Sequence, residues 1–299
     1  KIMQPPFGVR AGAIPILFAA GLKAFPSAIS MTRDGSYITD ILPSEIEQIC
    51  RQPDRYRIIV LDLKKNELNY LRKVYTLFGA IPNNDVPSTD LIRHCYDALD
   101  AWKNQLPGAA LIAEDVSKGD LKFQKLLKGN CDPVQLIFTE VPKLLGLNIS
   151  QAEKLIAGIG AIKVELESVV SRYRKSATSS LQRVLGFVGN KEEGNLNLAK
   201  KWAGCFSDKF IEQLNDGVAK GLITRLLISY EDDNALLESL SSLLVGKSFN
   251  RWEDITVAQF DRELTDVIHR VEETALSSQE DLGEGTLASA GLENLISGR

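Results

Sequence analysis

A mainly α-helical chain is predicted, with a small winged-helix-like α+β unit at its N-terminal end followed by a multi-helix bundle around one long central helix. Three observations carry this. Every strong strand or hairpin signal falls before residue 66. Beyond Asn66 the apolar residues recur at helical spacing, punctuated by caps and breakers. One stretch, Leu155, Ile159, Ile162, Leu166, Val169 and Tyr173, keeps an alternating spacing of four and three, the signature of a heptad seam.

The first helix is placed over Ala11–Ala24, ended by Phe25-Pro26. Ala28–Met31 and Tyr37-Ile38 flank Asp34-Gly35, a dipeptide that supplies the two positive-φ residues of a tight hairpin turn. Pro43 suits a first helical position, with Glu45 and Glu47 favouring the first turn, and that helix stops before Pro53. Tyr56–Leu61 is rich in β-branched and aromatic residues and reads as a strand.

Next come a helix on the face Leu68, Leu71, Val74, Tyr75 and Phe78, a second capped by Ser88, and a third capped by Ser117. Pro107-Gly108 reads as a break. Asp132-Pro133 opens a helix to Leu145 that Pro142 should kink. Ser150 is the expected cap of the long seam helix, with Leu181, Val184 and Val188 as its continuation and Gly189–Gly194 as a polar loop. Shorter helices follow at about 196–205, 208–214, 218–229 and 234–245. Phe249–Trp252 reads as a loop and Thr256 as the cap of a last helix, 257–275. The domains expected are 1–65, 66–276 and a flexible acidic Gly/Ser-rich tail, 277–299.

The 299 residues suffice for a substantial core, and 44% hydrophobic with 25% charged is ordinary for a globular protein. No apolar run approaches the roughly 20 residues that span a bilayer. Ile14–Leu22 is short and carries Pro15 and Gly21, so a cytoplasmic location is expected. The chain starts at Lys1 and reads like a piece of a larger protein. Residues 1–75 carry 11 basic and 7 acidic side chains. Residues 231–299 carry 5 and 15. The imbalance points to a polyanion-facing start and an acidic end.

Reactive chemistry finds little footing. Cys50, Cys95, Cys131 and Cys205 are scattered, and His94 and His269 stand in no metal-ligand spacing, so neither a disulfide framework nor a metal site is expected. Gly246-Lys247-Ser248 lacks the upstream glycine of a phosphate-binding loop, since position 241 is Ser. Gly158-Ile159-Gly160 lacks the third glycine of a dinucleotide fingerprint. Asp232-Asp233 and Glu272-Glu273 sit among polar residues and read as solvated faces. No catalytic residue and no cofactor is expected.

Cations are the usable signal. Arg51, Arg55, Arg57, Lys64 and Lys65 flank the second helix and last strand of the N-terminal unit, and Arg33 lies at the hairpin turn, where a wing would meet phosphate. Arg172, Arg174 and Lys175 surround Tyr173 on the long helix. Phosphate binding draws on several such side chains on one face. A charged surface with local ion pairs is the plainer reading of both clusters. The heptad seam, in turn, would pair with another helix, in this chain or in a partner subunit.

Pro5-Pro6-Phe7-Gly8-Val9-Arg10, Gly12 and Ile14-Pro15-Ile16-Leu17 resemble a phrase found in large bacterial phage-defence P-loop ATPases, of the BREX type or related. The resemblance runs through Asp34-Gly35-Ser36-Tyr37 and Pro53-Asp54-Arg55-Tyr56. It weakens at Asp132-Pro133-Val134, Val141-Pro142 and Trp252-Glu253-Asp254. It implies a region downstream of an ATPase core, a non-catalytic regulatory segment that contacts duplex DNA or other parts of the parent assembly. This chain has neither nucleotide-binding motif of such a core, so hydrolysis would belong to residues outside it. A helical protein-interaction scaffold without nucleic-acid binding is the alternative.

Overall fold

The computed structural model describes residues 3, 8–24, 28–38, 41–79, 91–129, 132–185 and 195–280. The expected cap Ser88, the continuation residue Val188, the loop 189–194 and the end of the tail, 281–299, lie outside them. The protein is mainly α-helical with a small antiparallel sheet near its N-terminus. Two compact units are formed, one from residues 1–106 and 116–166, the other from 107–115 and 167–299.

The first unit opens with a short 3-10 turn, Ala11–Ala13, that leads into α1 (Ile14–Ala24). Strands β1 (Ala28–Arg33) and β2 (Ser36–Tyr37) close a hairpin. Its turn places Asp34 at φ 51° and Gly35 at φ 85°, the backbone that Asp-Gly favours. α2 (Pro43–Arg51) and β3 (Tyr56–Leu61) follow, and the sheet order is β2-β1-β3. The register sets Ser30 opposite Ile59 and Met31 opposite Ile58. α3 (Lys65–Phe78) starts where the Glu67 carboxylate accepts the Lys64 N–H at 2.7 Å. α4 (Leu91–Gln105) packs on it. Tyr70, Leu71, Val74, Leu91, Ile92, Cys95, Ile137 and Leu155 form the core, with Leu61 and Leu63 packed against it. That packing joins the sheet to the helices after residue 65 in one unit, so the compact units divide the chain elsewhere than at 65/66.

A five-residue helix, α5 (Gly108–Ile112), forms directly after Pro107 and belongs to the second unit. α6 (Lys118–Lys128) is capped by Ser117 as expected, its hydroxyl accepting the Asp120 N–H at 3.2 Å. Asp132 caps α7 (Pro133–Gln135), accepting the Val134 N–H at 2.7 Å. The kink expected at Pro142 takes the form of a wide π turn, Leu136–Glu140, before α8 (Val141–Leu145). In the wide register Val141 gives its N–H to the Leu136 carbonyl, and Pro142, the next donor in that register, has none to give to the Ile137 carbonyl. The buried Tyr70 hydroxyl donates to it instead, at 3.2 Å. Gly146, at φ 64°, ends α8 in the left-handed conformation.

Ser150 is not the cap of the long helix. A 3-10 turn, Ile149–Gln151, precedes α9 (Ala152–Val184), and Asn148 caps that turn. Ser150 donates its hydroxyl to the Asn148 side chain. All six seam residues are buried: Leu155, Ile159, Ile162 and Leu166 in the first unit, Val169 and Tyr173 in the second. The seam is spent within this chain.

In the second unit α10 (Asn195–Ala203), α11 (Asp208–Gln213), α12 (Gly217–Leu227), α13 (Asp233–Leu244) and α14 (Asp254–Glu280) follow. Trp252 anchors the packing, with its ring centroid 4.3 Å from Phe249, 5.3 Å from Phe260 and 5.9 Å from Tyr173. Three elements differ here from expectation. Phe249–Arg251 is a 3-10 turn rather than a loop. Thr256 lies inside the first turn of α14, where its hydroxyl accepts the Glu253 N–H. The helix also runs through Glu280, so the first four tail residues are helical. Nothing from Ala275 to Glu280 breaks a helix, and Ser277 donates back to the Glu273 carbonyl.

Asp254, at the start of α14, accepts the Tyr173 hydroxyl at 2.7 Å and the N–H groups of Glu114 and Asp115 at 2.6 and 2.9 Å. Burial alone pushes this carboxyl up. The Tyr173 hydroxyl, the two N–H groups and nearby Arg172 outweigh it, and the net pKa is lowered. The folded value lies below the unfolded one, near 3.9. The stabilisation is therefore complete above about pH 4 and lost as pH falls through the lower folded value. Asp254→Asn should cost about 1–2 kcal/mol at pH 7, the scale of hydrogen bonds to a partly exposed charge. In urea titrations repeated from pH 7 downward, the gap between variant and parent should close below pH 4.

Candidate binding surface on the N-terminal sheet

The two faces of the small sheet meet different surroundings. Side chains at 30 and 32 share a face with 57, 59 and 61, and those at 29, 31 and 33 share the other with 56, 58 and 60. On the first face Ser30 is buried and donates to Asp132 at 3.0 Å. On the second, α2 covers the turn end. Glu45 there accepts both the Arg33 guanidinium and the Tyr56 hydroxyl at 2.8 Å.

Toward the other end of that second face the cover is incomplete. α1 presents Leu17, Phe18 and Leu22 to Ile29, Ile58 and Val60, and together they enclose a trough of about 390 Å³. No residue of α1 is fully buried. Val60 is 62% exposed, Leu17 51% and Ile16 70%. Gly21 keeps the floor of the trough open on the helix side, since a Cβ there would meet nothing within 4 Å. Contiguous exposed apolar surface of this kind makes the trough a candidate interaction surface.

The expected phosphate-contacting cations are placed unequally. Arg33 is held by Glu45, and Arg55 forks onto Asp34, its Nε 3.1 Å from both carboxylate oxygens. Hydrogen bonding to that guanidinium holds the Asp34 carboxyl below its ordinary value. Arg51 reaches Glu47 at 3.6 Å. Arg57, Lys64 and Lys65 are exposed and make no ion pair among the described residues. On α9, Arg174 turns inward. Its guanidinium carbon lies 5.8 Å from the centre of the Phe249 ring, and its Nε is buried without a hydrogen-bond partner among the described residues. Arg172 lies near Asp254, and Lys175 is exposed. These three do not make one outward-facing row.

The remaining motifs make local contacts. Lys247 pairs with Glu253 at 3.1 Å. Gly158 lies in α9, where a Cβ would approach Leu145 to 3.0 Å. Cys95 is buried, which pushes its thiol up to about 12, and it donates to the Leu71 carbonyl. Among the described residues there is no group of three or more His, Cys, Asp or Glu side chains that could hold a metal ion. No described helix is long and apolar enough to cross a membrane.

Sequence reasoning missed the trough. Tyr56–Leu61 reads as a strand, but its position at the sheet edge is a tertiary fact. The available signal was Ile14–Leu22 itself, a helix apolar nearly all round in a unit too small to bury it.

The chain matches no family model, no curated protein and no solved structure.

Proposed function

We propose that this chain is a non-catalytic binding module that holds another protein through the apolar trough of its N-terminal unit. The observation that carries the reading is the uncovered junction of α1 with β3, where Leu17 and Val60 stand more than half exposed beside Ile58. In a parent of the kind the resemblance implies, nucleotide hydrolysis would belong to a core upstream, and this module would couple that core to a partner subunit or to another part of the assembly.

A second reading, contact with duplex DNA, draws on Arg57, Lys64 and Lys65 along β3 and its exit. Against it, Arg33 and Arg55, the two cations nearest the hairpin turn, are committed to carboxylates.

A photo-reactive amino acid placed at Val60 in the parent organism tests the first reading. It should give discrete protein adducts, while the same probe at Val164, equally exposed on α9, should not. Adducts equal at both positions would overturn the reading. Duplex affinity measured across salt decides the second. Salt-steep binding that weakens on changing Arg57, Lys64 and Lys65 to Glu would favour DNA; binding indifferent to those changes removes it.

A further inference from the structure

We infer that the partner is an extended segment that adds a strand to the open edge of β3, with apolar residues at every second position and acidic residues between them. The inference rests on the trough being the binding surface and goes on to say what fills it.

Hydrogen-bond direction identifies the open groups. The Met31 carbonyl accepts the Ile38 N–H at 2.9 Å, so the odd-numbered residues of β1 face β2. The Asp34 N–H donates to the Arg55 carbonyl at 2.8 Å, so the even-numbered ones face β3. Alternation along the pleat then turns Arg57, Ile59 and Leu61 toward β1. It turns the N–H and C=O groups of Ile58 and Val60 to the outer edge, where no main-chain bond among the described residues fills them. β3 carries no proline or bulge that would protect such an edge.

The residues with open main-chain groups are also the ones whose side chains line the trough. In an added strand, residues paired with Ile58 and Val60 direct their own side chains to the same face, beside Leu17, Phe18 and Leu22. Their neighbours fall on the other face, beside exposed Arg57. Along 56–65 the basic residues are Arg57, Lys64 and Lys65 against the single acid Asp62. Main-chain bonding gives affinity, the trough reads alternate side chains, and the local charge selects acids for the rest.

A fluorescein-labelled eight-residue peptide alternating Glu with Val or Ile is the probe. Hydrogen exchange on the full chain with saturating peptide should slow the Ile58 and Val60 amides and leave those of Arg57 and Ile59 unchanged. N-methylation of the alternate peptide nitrogens that face β3 should weaken binding at least about tenfold, the cost of losing one or more main-chain bonds. Methylation of the other set should not. Val60→Pro, which removes an outward N–H without touching the β1 ladder, should match the first result. A Lys/Val peptide should bind more weakly than the Glu/Val one.

Binding without new protection at Ile58 and Val60, or indifferent to which nitrogens are methylated, overturns strand addition. If such binding is still lost in Val60→Lys, the trough remains the binding surface and only its mode of use is wrong. Light scattering that shows two copies of this chain paired through β3, relieved by Val60→Pro, would overturn the assignment of the edge to another protein.

Discussion

Replacing Trp252 by alanine should lower the stability of the second compact unit by about 4 kcal/mol, the upper part of the range for emptying a fully buried aromatic site. The side chain is wholly buried against Phe249, Phe260 and Tyr173. Its indole N–H donates to the Ser241 hydroxyl at 2.7 Å, and that hydroxyl donates onward to the Lys247 carbonyl. Three ring contacts and a two-step hydrogen-bond chain therefore go together. Trp252→Phe separates them in part. It keeps an aromatic ring in the site but loses the N–H and part of the indole, so about 2–3 kcal/mol should be lost. Urea unfolding of both variants measures the two terms, and hydrogen exchange along α13 and α14 locates the loss. Equal costs for the two would mean that the hydrogen-bond chain, not the packing, holds this site.

The second large effect is expected at Asp132, where Asp132→Ala should cost about 2–3 kcal/mol. One carboxylate oxygen caps α7 at the Val134 and Gln135 N–H groups, and the other accepts the hydroxyl of buried Ser30 on β1. Losing the cap costs about 1 kcal/mol. Leaving a buried hydroxyl unpaired adds another 1–2. A double-mutant cycle checks the division. In a Ser30→Ala background, Asp132→Ala should cost only the cap. Unchanged cost in that background would show that the Ser30 contact contributes nothing.

The legibility of this fold in its sequence divides along a physical line. Features set by residues within about five positions of one another were readable. The Asp34-Gly35 turn needs two positive-φ residues in sequence, Ser117 and Asp132 cap the helices directly after them, and the spacing from Leu155 to Tyr173 declares a buried stripe. Features set by approach from afar were not. α5 starts at Gly108, inside the Pro107-Gly108 pair that reads as a break. Glycine suits position 108 because the Asn250 carbonyl comes within 3.2 Å of where a Cβ would sit. Thr256 and Ser150 are fair caps by type, but Asp254 and Asn148 stand just ahead of them and start the structure earlier. The apolar trough was least legible of all. Arg33 and Arg55 read as phosphate contacts by residue type and position, and the pattern gives no sign of the ion pairs they make with Glu45 and Asp34. The exposure of Val60 depends on the strand order, which no local pattern carries.

The wide turn before Pro142 ties together two places far apart along the chain. Tyr70 supplies a proton where proline cannot, across 67 positions of sequence. An ordinary residue at 142 could bring its own N–H, and the aromatic ring at 70 would then serve as well without its oxygen. Proline at the one site and tyrosine at the other should therefore be inherited as a pair, each making the other necessary.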